Sequence, residues 1–116
     1  MGWKLTERAD SKVGHSDYEE LGPALDALEA RGRALATTAP HRAVDLKVRR
    51  FEPSERVLAR LELSGPQRFV PSVRGGIDIH GDGSVEAFRG HVRRQMIDPR
   101  DGESAYAALR RVLSEA

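Results

Sequence analysis

The sequence predicts an α+β fold: a mostly antiparallel sheet of four to five strands with two helices packed on one face. Three observations point to it. Two segments carry apolar residues at three-to-four spacing, several short runs alternate apolar and polar residues, and Gly, Pro and Asp fall between these segments as turn signals. A chain of 116 residues has room for a single small domain, 1–116. Leu, Ile, Val and Phe together supply only 26 of those residues, so the core is small.

Residues 3–7 alternate Trp3 and Leu5 with Lys4 and Thr6, the pattern of a short strand. Residues 9–16, with Asp10, Ser11, Gly14, His15 and Ser16, read as a polar loop. Ser16 and Glu19 have the spacing of a capping box, and Tyr18, Leu21, Leu25, Leu28 and Leu35 line one helical face. Pro23 suits a first helical position, so the firm part of this helix is 23–31, and Pro40 with His41 is expected to end the helical region.

Two clean alternations follow. Val44, Leu46 and Val48 share one face of 43–51, and Val57, Ala59, Leu61 and Leu63 share one face of 56–63. Joined through Glu52-Pro53-Ser54-Glu55 they form an expected hairpin. A two-residue turn there would demand positive φ at Pro53, whereas a four-residue turn pairs Asp45 with Arg60. A third strand, 67–74, holds Pro71 and therefore belongs at an edge or a bulge. Gly75-Gly76 breaks the chain before a strand at 77–80 and a type I′ turn at Asp82-Gly83. Residues 84–97 fit a helix or a strand, with the Asp-Gly turn and Gly90 favouring the strand that pairs back on 77–80. Asp98-Pro99 ends it. A closing helix over 102–114 has Tyr106, Leu109, Val112 and Leu113 on one face.

Nineteen basic and eighteen acidic residues leave a net charge of +1, so no global field steers the chain to nucleic acid or membrane. The sign is uneven, and 41–74 has eight basic residues against four acidic ones. Sixteen arginines against three lysines, with abundant alanine, match the codon usage of a GC-rich genome such as many bacteria carry. The absence of cysteine excludes disulfides, thiolate nucleophiles and cysteine-ligated metals. With no disulfide staple, no apolar signal core in 1–7 and no apolar run long enough to span a bilayer, the expected place is the cytoplasm.

Three constellations bear on function. Lys47, Arg49, Arg56, Arg60, Arg68 and Arg74 are expected on the sheet face opposite the core, a basic surface able to neutralise phosphates or to meet a protein partner. Asp78 and His80 share a strand face, with His91 across from them, as candidates for a metal site. Leu58 and Val70 fall on the charged face as apolar contacts for a partner, and an unpaired edge strand would invite a second copy of the chain.

The run from Asp78 to Val85 partly resembles an EF-hand calcium loop, with acids at the first and fifth places and Gly83 at the sixth. His80 takes the third place, however, and Arg89 the twelfth, where a carboxylate belongs. The helix, strands, helix order resembles the double-stranded-RNA-binding domain in topology, but the last helix opens on Asp101-Gly102-Glu103 instead of lysines. No nucleophile elbow, phosphate loop, dinucleotide fingerprint or zinc-protease motif is present, and no cofactor is implied. The expected function is a small binding module without enzymatic activity, acting on another protein or on itself through an exposed sheet. The alternatives are a nucleic-acid accessory protein and a small metal-binding protein or enzyme around Asp78 and His80.

Overall fold

In the computed structural model, residues 2–9, 12–45, 57–65, 73–90 and 93–115 are described. Their strands are β1 (Trp3–Ala9), β2 (Lys12–Tyr18), β3 (Val57–Gly65), β4 (Val73–His80), β5 (Val85–Arg89) and β6 (Gln95–Ile97), and their helices are α1 (Leu21–Asp45) and α2 (Ala105–Glu115). The six strands form one antiparallel sheet in the order β2-β1-β3-β4-β5-β6. An α+β fold with an antiparallel sheet is thus present, with six strands where four to five were expected.

Strand alternation explains where the core sits. Leu5 faces Leu63, Leu61 faces Ile77, and Ile77 faces Ala87, so one face of the sheet is a continuous apolar surface. Onto it pack Ala24, Leu25, Leu28 and Leu35 from α1 and Tyr106, Leu109 and Leu113 from α2. Leu28, Leu61, Leu63, Ile77, Ile79 and Leu109 are fully buried there.

The helices begin where local chemistry allows. Pro23 lies in the first turn of α1, where no backbone donor is required, and Ala24 N–H donates to the Glu20 carbonyl at 3.3 Å. At the start of α2 the Ser104 hydroxyl accepts from Ala107 N–H at 3.1 Å and its carbonyl accepts from Ala108 N–H at 2.9 Å, an N-cap.

Several expectations are corrected. Residues 12–18 form β2, not a loop, and Ser16 belongs to that strand and caps no helix. Pro40 does not end the first helix, because an alanine-rich stretch (Ala34, Ala36, Ala39, Ala43) carries helical backbone on to Asp45. The expected hairpin of 43–51 with 56–63 does not form. Residues 43–45 are helical, residues 46–51 lie outside the described set, and both edges of β3 are already bonded to β1 and β4. Arg60 accordingly pairs with Asp78 instead of Asp45.

The glycines at 75–76 do not interrupt β4. They permit it: a Cβ on Gly76 would collide with the Leu61 carbonyl of β3. Residues 67–72 lie outside the described set. Residues 84–97 hold strand and not helix, but not the single strand expected: the chain reverses between β5 and β6, and only β5 pairs back on β4. The β4–β5 turn is a three-residue loop, not the expected two-residue one. His80 N–H donates to the Ser84 carbonyl and Gly83 N–H to the His80 carbonyl, both at 2.9 Å, with φ 89° at Gly83. No described helix is long and apolar enough to cross a membrane.

Candidate binding face and edge

The face of the sheet turned away from the helices is built in rows. One row runs His15, Thr6, Glu62, Gly76, Phe88, Met96, and the next runs Val13, Arg8, Arg60, Asp78, Glu86. Arg60 binds Asp78 in bidentate fashion, Nε to Oδ1 at 2.5 Å and Nη2 to Oδ2 at 3.1 Å. The hydrogen bonds to the Asp78 carboxylate raise the Arg60 pKa further, so its charge is permanent. The same guanidinium lies 5.6 Å from the centroid of the Phe88 ring, and Arg94 lies 5.2 Å from it. Arg74 sits 3.9 Å from Glu62. Of the six basic residues expected on this face, Arg60 and Arg74 are there, each beside a carboxylate. Lys47, Arg49, Arg56 and Arg68 lie outside the described residues, as does Val70.

The centre of this face is shut off from water. Phe88 is 0% exposed, and Thr6, Ser64, Asp78 and His80 are buried as well. Phe88 is thus buried on the side away from the helices: its neighbour Ala87 faces the helices and Phe88 faces the other way, beneath two guanidinium groups.

Asp78 and His80 do share a face, but both oxygens of Asp78 are held by Arg60. His80 has both ring nitrogens buried without a hydrogen bond. Glu86 Oε1 lies 3.3 Å from Nε2 but off hydrogen-bonding geometry. His91 lies outside the described residues, and among those described no group of three or more ligating side chains can hold a metal ion. At the turn, the Ser84 hydroxyl and N–H both donate to Asp82 Oδ1, at 2.6 and 2.9 Å, which lowers the Asp82 pKa. That carboxylate is thus engaged in fixing the turn.

Chemistry elsewhere is equally committed. Glu103 accepts from Arg111 at 2.8 and 3.0 Å and from Arg100 N–H at 2.8 Å, which pulls its pKa down to about 2. A groove of about 470 Å³ lies between Arg33, Thr37, Val85 and Tyr106. Arg33 is bonded there to Glu29 at 2.9 Å and lies over the Tyr106 ring. Burial raises the Tyr106 pKa, and its hydroxyl has no hydrogen-bond partner. Thr6 Oγ1 and His15 Nδ1 approach to 3.2 Å in the form of a nucleophile–base pair. Neither the groove at Arg33 and Tyr106 nor the one at Arg89 and Met96 includes them, and among the described residues nothing orients the second ring nitrogen.

Among the described residues, the part of the sheet that stays open is its β2 edge. All seven residues of β2 pair in unbroken register with β1, from Trp3 opposite Tyr18 to Ala9 opposite Lys12. Every one except half-buried Tyr18 is exposed, on both faces of the strand. Val13 is 50% exposed. The opposite edge, β6, has only three residues. This edge was missed in the sequence because both faces of β2 are polar, so no apolar alternation marks it. The usable signal was two seven-residue runs separated by Asp10-Ser11.

No family model, curated protein or solved structure matches this chain.

Proposed function

We propose that this protein is a small binding module without enzymatic activity, which takes up a protein partner by strand addition along β2. The observation that carries this reading is the length and openness of that edge. An edge strand turns alternate N–H and C=O pairs outward, and seven residues in regular register offer a template that a further strand can extend. A phosphate-binding face draws less support, because Arg60 and Arg74, the described members of that patch, already stand beside Asp78 and Glu62.

The test is selection of extended peptides from a displayed library on the immobilised full chain. Binders are then measured against two variants, Gly14→Pro and His15→Pro. Adjacent positions on a strand point their N–H groups to opposite sides, so one proline removes an outward donor and the other a donor to β1. Loss of peptide binding in the outward variant, with its melting temperature unchanged, is the expected result. Binding indifferent to both prolines overturns the reading.

A further inference from the structure

Resting on that reading, we infer that the partner is a second copy of this chain, paired antiparallel through β2 about a two-fold axis at Ser16. Two identical edge strands placed side by side and antiparallel can be related only by a two-fold perpendicular to the sheet. The residue on the axis then faces itself, residues equally distant on either side face one another, and the helices of both copies lie on the same side. The two six-stranded sheets become one continuous sheet.

The side chains of β2 choose among the possible axes. With the axis at His15, that imidazole faces its own copy and Val13 faces Asp17. With the axis at Gly14, Lys12 faces Ser16 and Val13 faces His15. The axis at Ser16 sets His15 opposite the second copy's Asp17, twice by symmetry, on the face away from the helices. It also sets Tyr18 opposite Gly14, again twice, on the other face.

An imidazole N–H facing a carboxylate across a strand pair donates a hydrogen bond to it, and an aromatic ring covers the bare backbone of an opposed glycine. Gly14 has the space for it, since nothing lies within 4 Å of where its Cβ would be. Thr6 holds Nδ1 of His15 at 3.2 Å, which leaves Nε2 for a carboxylate beyond the edge. Six of the seven β2 residues are exposed, and they lie on both faces of the strand.

An interface made of one strand pair is small, so the dimer is a weak one, with a dissociation constant on the order of 100 μM. Sedimentation equilibrium of the full chain from about 10 μM to about 1 mM reads it as a reversible monomer–dimer shift. The register is read by disulfide formation, because the chain has no cysteine of its own. Under mild oxidation Ser16→Cys forms a disulfide dimer at least about tenfold faster than His15→Cys or Asp17→Cys, since only the axial position meets its own copy within bonding distance. Asp17→Arg weakens the dimer about three- to tenfold while the melting temperature stays put.

Monomer mass at every concentration overturns the inference, and so does fastest cross-linking at position 15 or 17. A monomer whose β2 edge still takes selected peptides removes the self-pairing alone. A monomer that takes none removes the strand-addition reading with it.

Discussion

Along β3 and β4 the side chains facing the helices are Ala59, Leu61, Leu63, Ile77 and Ile79, while Arg60, Glu62, Ser64, Asp78 and His80 point to the opposite side. Both sets are largely closed to water, by different chemistry. The helix side is closed by apolar area, which is non-directional and tolerates small shifts. The other side carries an ion pair and guanidinium groups over Phe88, arrangements that depend on distance and angle. Burial by pairing contributes little net stability, yet losing one partner is expensive because it strands the other. Two faces of one sheet can thus be equally buried and unequally robust.

The largest effect belongs to the apolar side. Leu61→Ala removes a fully buried side chain and should cost about 2–5 kcal/mol in urea denaturation. On the polar side Asp78→Ala leaves Arg60 without its bidentate partner. Because Arg60 keeps about a quarter of its side chain in solvent, the cost should be smaller, about 1–3 kcal/mol. The double variant Arg60→Met with Asp78→Leu sharpens the contrast: it should be more stable than Asp78→Ala alone, and a double variant worse than either single one breaks the comparison.

A third effect follows pH. The carboxyl of Glu103 has a folded pKa of about 2, below its ordinary range near 4, through its bonds to Arg111 and Arg100. Its contribution to stability is therefore complete above the ordinary carboxylate range and is lost as pH falls through about 2. Glu103→Gln should flatten that limb of the melting-temperature profile, and an unchanged profile would sink the assignment. The smallest effect is at the open edge, where Val13→Thr and His15→Gln should each change stability by no more than about 0.5 kcal/mol.

The legible parts of the fold were those with an apolar signal. Leu25 and Leu28 on α1, Leu109 and Leu113 on α2, and the alternation of Ala59, Leu61 and Leu63 all announced their burial. Where the signal was polar or shared, reading failed. Strand β2 has no apolar face to betray its period, and Val44, one of the residues whose alternation suggested a strand, belongs instead to α1, where the alanines upstream extend the helix. Of the candidate site, Arg60 and Arg74 were placed on the correct face. Their carboxylate partners depend on strand register, which a chain's own alternation cannot specify without knowing which strands are neighbours.

The position of β1 between β2 and β3 has a consequence for the order in which the structure is made. From β3 onward each strand pairs with the next in the chain, and α2 lies on β4 and β5, so these contacts close short loops. Bringing Leu5 against Leu63 instead closes a loop that spans the whole of α1, and loop-closure entropy rises with length. Contacts of long sequence separation slow folding. The β3–β6 meander with α2 is thus expected to form first and the β1–β2 hairpin to dock onto it late, which makes the open β2 edge the last part of the sheet to be completed.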